Sequence, residues 1–277
     1  MGVICHPGYS GNPETSGITM TQELTQMGNA QVFLRKTEGR HYIEKLNASD
    51  VELLFYLQIA PQMSTLGVNT PAVYLCDTDN RVLQLEYIPH SVSLEELQDD
   101  PRCFRQLTAV HHFSLRPEHP KRLHDWKAQH TFQALEHLQL SGQSEAQLLK
   151  LREQSEPLFS PLACLSGDSN AGNWGKRDNG DLVLFDWERL GQGSPAIDLA
   201  PLVKGMGNIT AYKAITNRYL AHTSLLTQET LIKHLILAKA WIVVEVVNIL
   251  KDRQKPDCDH YLNWFRQVLP DWLNLAA

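Results

Sequence analysis

The sequence predicts an α+β fold: a small antiparallel sheet with one helix over residues 1–88, then a larger, mainly helical part over residues 89–277. Three observations predict it. Between Gln31 and Pro89, short apolar runs alternate with turn-forming clusters, as strands do. From about Ser93 onward, apolar residues recur at helical spacing. One polar, glycine-punctuated stretch from Ser166 to Leu199 interrupts that helical pattern and gathers chemically active side chains.

Each element follows from its local residues. Residues 1–20 hold Gly2, Gly8, Gly11 and Gly17 with Pro7 and Pro13, and read as loop. Within them Gly8-Tyr9-Ser10-Gly11 lacks the Gly-Lys-Ser/Thr ending of a phosphate loop. Thr21 to Met27 suits a short helix or strand, and Met27-Gly28-Asn29-Ala30 a turn. Gln31 to Arg35 and His41 to Leu46 are expected strands about the turn Thr37-Glu38-Gly39. A helix is expected from about Asp50 to Ile59, where Ser49 and Glu52 have the spacing of a capping box and Val51, Leu54, Phe55 and Leu57 supply a buried face. Val73 to Leu75 and Val82 to Ile88 read as strands about the turn Asp77 to Asn80, the second ending at Pro89. Helices are then expected from Ser93, over Cys103 to Phe113, Leu123 to Leu140 and Glu145 to Phe159. Pro117, Pro120 and Ser141-Gly142 divide them. Three more follow the polar stretch: Pro201 to Ala221, Glu229 to Asp252 and Asp259 to Leu273. The middle one is apolar nearly all round and is expected to be buried.

The polar stretch carries the chemistry. Ser166-Gly167-Asp168 and Asn173 lie on a tight loop whose Gly167, Gly172 and Gly175 permit turns and close backbone approach. Asp178-Asn179-Gly180-Asp181 reads as a hairpin turn, and Leu182 to Phe185 as a buried strand that delivers Asp186 at its end. Loop and strand end thus bring Asp168, Asn173 and Asp186 together. An amide oxygen and a carboxylate are hard ligands suited to Mg²⁺ carrying substrate phosphates. A second carboxylate beside them is placed to accept a proton from an attacking hydroxyl.

In this order (Gly-Asp, Asn five residues on, an apolar strand into Asp-Trp-Glu, then Asp198-Leu199-Ala200) the residues resemble the aminoglycoside phosphotransferase and choline/thiamine kinase superfamily, small-molecule relatives of protein kinases. The resemblance implies the two-lobed protein-kinase-like fold, with ATP in the cleft. It implies Asp168 as catalytic base, Asn173 and Asp186 as Mg²⁺ ligands, and Asp198 as a carboxylate bracing the loop. Lys45 would hold the α/β-phosphates, with Gly28-Asn29 over them. Glu52 has two open roles, helix cap or partner of Lys45. Glu86 to Ile88 resembles the hinge whose backbone bonds adenine. The family usually has His-Gly-Asp where this chain has Ser166-Gly167-Asp168. The implied reaction is ATP- and Mg²⁺-dependent transfer of a phosphoryl group to a hydroxyl of a small molecule, expected to be a cationic alcohol of the choline, ethanolamine, thiamine or aminoglycoside type. Glu245, a lone carboxylate in an apolar run, with Trp241, Tyr261 and Trp264 near it in sequence, forms a physical recipe for holding that cation. The alternative is core aromatics, with Glu245 facing water.

Bulk properties narrow the classes further. A net charge of −6 argues against a nucleic-acid partner, which would need a basic face. Five scattered cysteines without a Cys-x-x-Cys pair suit reduced thiols in a cytoplasmic protein. No membrane span is expected, since the most apolar run, Leu231 to Leu250, carries Lys233, His234, Lys239 and Glu245. Two other readings use the same residues. One is a kinase-like nucleotide-binding scaffold without turnover, suggested by Ser166 and the single glycine at residue 28. The other is a metal-dependent phosphoester hydrolase that needs no ATP.

Overall fold

The computed structural model describes residues 20–24, 30–37, 39–253 and 258–276. The expectations for the first nineteen residues, for the Gly28-Asn29 turn and for Glu38 lie outside them.

Five strands form one antiparallel sheet: β1 (Met20–Leu24), β2 (Gln31–Thr37), β3 (Arg40–Leu46), β4 (Val73–Asp77) and β5 (Val82–Glu86), in the order β1-β2-β3-β5-β4. The ambiguous segment after Met20 is therefore a strand, paired along its whole length with β2. Between β3 and β4 runs the helix that faces the sheet. It starts as α1 (Asp50–Leu54), widens into a π segment (Phe55–Ile59) and continues as α2 (Ala60–Thr65). The sequence stopped it at Ile59, ahead of Pro61. In the structure Ala60 N–H donates to Phe55 O, an i to i−5 bond. That wider turn accommodates the missing N–H of Pro61, so the helix passes through it. Leu53, Phe55, Tyr56, Ile59 and Met63 bury the face towards the sheet.

The chain leaves the sheet at Glu86 and enters the helical part through β6 (His90–Ser91) and α3 (Leu94–Asp99). Ser93 and Glu96 form a complete capping box at the start of α3. α4 (Pro101–His112) buries Cys103, Phe104, Leu107, Val110 and His111. The next expected helix is shorter than its pattern suggested: α5 covers only Ala128–Leu138. Residues 122–125 are claimed by tertiary contacts instead. Arg122 N–H donates to Leu190 O, His124 Nε2 faces Arg189 O, and Asp125 O accepts from Trp241 Nε1. The segment expected from Glu145 to Phe159 is two helices, α6 (Gly142–Glu153) and α7 (Glu156–Phe159). Ser141 caps the first, and Pro157 sits in the first turn of the second, where its missing N–H is harmless.

The polar stretch folds as small strands: β7 (Ala163–Leu165), β8 (Trp174–Lys176), β9 (Leu182–Leu184) and β10 (Gly191–Gly193). β7 pairs with β10, and β8 lies between β6 and β9. After them come α8 (Ala196–Leu199), α9 (Ile209–Leu220), α10 (Gln228–Asp252) and α11 (Cys258–Ala276). The helix expected from Pro201 begins only at Ile209, because Gly205 and Gly207 take positive φ and Asn208 caps the new start. α10 is the buried axis of this part, with Leu231, Leu235, Ala238, Trp241, Val244 and Val247 in the core. Among the described residues no helix is long and apolar enough to cross a membrane.

Candidate active site

The site is built on the loop after β7. Gly167 takes φ +80°, and a Cβ there would lie 2.1 Å from the Arg189 carbonyl oxygen, so the turn is closed to any side chain. Beneath it lies Asp198, fully buried at the centre of the short α8. Its Oδ1 accepts from Gly167 N–H at 2.8 Å and from the Ser166 hydroxyl at 3.0 Å. Its Oδ2 accepts from Ser166 N–H at 2.8 Å and faces His111 Nε2 at 3.2 Å. Asp198 therefore spends both oxygens on holding the loop, and an imidazole reaches it from α4 while residue 166 contributes a hydroxyl. Ser169 Oγ also donates to the Asp198 carbonyl.

This bracing presents Asp168. Its Oδ1 accepts from Asn170 Nδ2 at 2.7 Å, and its backbone carbonyl accepts from Asn173 Nδ2 at 2.8 Å. Burial pushes the Asp168 pKa up, while Asn170 and Arg189 hold it down. With Asn173 Nδ2 spent on the loop, its Oδ1 is the end that can serve a cation. Phe185 N–H donates to Asn173 O at 3.0 Å, which fixes the strand end against the loop. The next residue, Asp186, sits at φ +65°, a conformation that non-glycine residues rarely adopt outside turns and functional sites.

Asp186 meets the sheet through Lys45. Lys45 Nζ donates to Asp186 Oδ1 at 2.9 Å and to Glu52 Oε1 at 2.7 Å. The two open roles of Glu52 are thus resolved in favour of the ion pair: Ser49 Oγ accepts from Glu52 N–H at 3.1 Å, but the Glu52 side chain turns to Lys45. Burial alone would depress the Lys45 pKa, yet Glu52 and Asp186 outweigh it and raise it, so the ammonium stays charged. Burial raises the Glu52 pKa against the pull of Lys45.

Behind these three residues, Trp187 stacks on Phe55 with ring centroids 4.0 Å apart. The contact ties the strand end to the π segment beside Glu52. A narrow, mainly apolar cavity of about 150 Å³ runs from Lys45 and Asp186 past Val32, Ile43, Leu85 and Phe185 to the backbone at Glu86, Tyr87 and Ile88. The Glu86 carboxylate does not face this cavity as a free ligand. Arg177 grips it with Nε at 2.7 Å and Nη2 at 2.8 Å, and Ala72 N–H donates to it as well.

A second, larger pocket of about 410 Å³ opens beside Glu188 and Arg189, between Asn47 and Ser49 on one side and α5 and α10 on the other. Glu245 lines it, paired with Arg189 Nη2 at 2.5 Å. Trp241 does not form the expected cage with it. Its ring is 2% exposed, its Nε1 donates to Asp125 O, and it packs edge-on to His124 and Phe159 beneath Arg189. Trp241 and Glu245 are one turn apart on α10, but tertiary contacts draw the indole into the core, through Asp125 O and the His124 and Phe159 rings, while Glu245 turns to Arg189.

Sequence reasoning missed Arg189, Asn170, Arg177 and the role of His111. Arg189 and Arg177 find carboxylates 56 and 91 residues away, for which no local spacing exists. Asn170 was findable, since an Asn two residues from Asp168 is within reach of its carboxylate. Among the described residues no cluster of three or more His, Cys, Asp or Glu side chains is placed to hold a metal alone. One carboxylate and one amide nevertheless fit Mg²⁺, which takes few protein ligands and completes its shell with phosphate oxygens and water.

No curated protein sequence matches the chain. Choline kinase LicA from Streptococcus pneumoniae superposes with a TM-score of 0.64 at 17% identity, covering 94% of each chain. Aminoglycoside 2'-phosphotransferase-IIIa in its GDP complex gives 0.67 at 14% identity over 93% of this chain and 92% of that one. Spectinomycin phosphotransferase APH(9)-Ia, in complex with ADP and spectinomycin, gives 0.60 at 14% identity over 94% and 93%. The fold is therefore that of the protein-kinase-like phosphotransferases. A family model described as the phosphotransferase enzyme family, APH, matches residues 23–223, and the chain belongs to that family.

Proposed function

We propose that this chain transfers the γ-phosphoryl group of ATP to a hydroxyl of a small cationic alcohol, with residues 1–88 as nucleotide lobe and 89–277 as catalytic and acceptor lobe. The observation that carries the reading is the Lys45–Glu52–Asp186 chain at one end of an apolar slot, with the Asp168 carboxylate within electrostatic reach of Asp186. The slot between Val32, Leu85 and Phe185 suits a flat purine, with the backbone of Glu86 to Ile88 at its rim. Lys45, held by two carboxylates, positions the α/β-phosphates. Asp168 orients the acceptor hydroxyl and takes its proton as the new O–P bond forms. Asn173 and Asp186 would hold Mg²⁺, which when bound neutralises phosphate charge. The Ser166 hydroxyl and His111 brace Asp198, which supports an intact catalytic loop over an inactive scaffold.

The larger pocket supports a narrower acceptor class. It offers three carboxylates, Glu188, Glu245 and Asp252, beside Arg122, Arg189 and Arg253, with amides from Asn47, Gln133 and Asn248, and among the described residues no Phe, Tyr or Trp ring lines it. A quaternary ammonium has no N–H and is recognised chiefly on aromatic faces. Primary or secondary ammonium groups on a hydroxylated molecule instead match carboxylates and amides. An amino alcohol or aminosugar therefore suits the pocket better than choline or thiamine.

The test is ADP release from ATP with Mg²⁺ against ethanolamine, choline, thiamine and aminosugars. Acceptor-stimulated release is expected, strongest with the aminosugars and lowered by at least about a hundredfold in Asp168→Asn. Phosphate release that needs no nucleotide would point to the hydrolase instead. ATP bound without any turnover would point to the scaffold.

A further inference from the structure

Two buried polar atoms next to the Lys45–Glu52 pair have no hydrogen-bond partner among the described residues: Oε2 of Glu52 and Oη of Tyr56. The two residues lie one turn apart on the helix facing the sheet, and so on one face of it. Both are sealed from solvent, Glu52 at 0% and Tyr56 at 3% exposure. The phenol is also within electrostatic reach of two carboxylates. After burial itself, Glu52 and then Asp186 push its pKa up, so it stays protonated and is a donor.

One atom can accept and the other can donate, and both belong to the same face of the helix. Native interiors rarely leave such groups unpaired, and where side chains do not meet directly an ordered water joins them. The helix is locally modified here, since Tyr56 lies in the π segment, whose wider turn begins one residue earlier. Single π turns of this kind are frequent at functional sites.

We propose that one buried water bridges Tyr56 Oη and Glu52 Oε2, and that through it Tyr56 is a positioning residue for Lys45. Tyr56 donates to the water, and the water donates to Glu52 Oε2. The carboxylate is then held at both oxygens, one on the water and one on Lys45 Nζ, so the ammonium keeps its place for the nucleotide phosphates. This rests on the reading of the slot as a nucleotide site. Tyr56 itself does not touch the reacting atoms.

The experiment is calorimetric titration of the full chain with a non-hydrolysable ATP analogue and Mg²⁺, for wild type, Tyr56→Phe, Glu52→Gln and the double variant. Phenylalanine keeps the ring and the packing and removes only the hydroxyl. Tyr56→Phe is expected to weaken nucleotide binding by about threefold to tenfold, the scale of one hydrogen bond to a charged network. In the Glu52→Gln background the same change is expected to have no further effect. A crystal structure at water-resolving resolution is expected to show a water bonded to both atoms. Wild-type affinity in Tyr56→Phe, an equal loss in both backgrounds, or density without that water would each overturn the proposal. If the wild type binds no nucleotide, the functional reading itself has failed, and that outcome is distinct from wild-type-like behaviour of Tyr56→Phe.

Discussion

Asp168 is held where its charge is opposed by burial and favoured by Asn170 and Arg189, and the first effect prevails. In its proposed role as base Asp168 works only when ionised, so a raised pKa moves the loss of activity to higher pH than the ordinary aspartate value of about 3.9. The pH profile of kcat/KM should therefore show an acid limb above that value, falling as pH falls. Asn170→Ala removes the hydrogen bond that favours the anion and should move the limb higher still. A limb unmoved in that variant would mean that another group sets it. Gly167 is constrained by geometry. Its positive φ and the backbone oxygen 2.1 Å from a Cβ leave Gly167→Ala no flexible neighbour to push aside. A misplacement of about 1 Å at a reacting group can lower the rate by about 10²-fold, so kcat should fall by at least that much, read by steady-state assay. Both residues were legible in the sequence because the loop closes within a few residues. His111 was legible only as a core residue, since nothing local to it tells of Asp198 across the fold.

Elements were legible where one period governed them. α4 and α10 show their apolar faces plainly, and the Asn179-Gly180 hairpin announces itself by its turn. Boundaries failed where distant contacts outweighed local preference. The strip before α5 has helical spacing, but His124 Nε2 faces Arg189 O at 3.0 Å and Arg122 pairs beside Gly191, so it runs extended under the catalytic loop. The helix carrying Glu52 failed differently: it was expected to end at Ile59, and the π turn carries it on through Pro61. That π segment meets the site through Trp187, which is fully buried on Phe55 and donates to Leu184 O at 3.2 Å. Trp187→Leu should destabilise the protein by about 3 kcal/mol, within the range for losing a large buried aromatic. It should also weaken nucleotide binding, because the stack sets Glu52 and Lys45 against Asp186. Trp187→Phe keeps a ring on Phe55 and should lose less of both. Denaturant unfolding and nucleotide titration of the two variants check this: lost stability with unchanged affinity would make the stack packing alone.

At the scale of the whole molecule, the two lobes were legible as a change from strands to helices, but what sets one against the other was not. The structure supplies a clasp at the hinge. Arg177, on the hairpin after β8, holds the Glu86 carboxylate with two parallel bonds and donates to Thr70 O at 3.0 Å. Glu86 also accepts from Ala72 N–H, so three chain segments converge on one ion pair beside the proposed adenine rim. Arg177 is the main cause that holds the Glu86 pKa below the ordinary carboxylate range, against burial. A carboxylate with a depressed folded-state pKa adds stability above its unfolded value, and that stability is lost as pH falls through the folded one. The clasp is about a quarter exposed on each side, so solvent screens it, and a loss of about 1–2 kcal/mol is expected in Arg177→Met near neutral pH. The deficit relative to wild type should shrink as pH falls below the ordinary carboxylate range, where Glu86 is protonated first in the variant and then, at lower pH, in the wild type. If the clasp orients the lobes, KM for ATP should rise several-fold while kcat at saturation changes little, since Asp168 and its braces are untouched. A variant that loses stability but keeps the wild-type KM would show that the clasp holds the hinge together without setting the nucleotide slot.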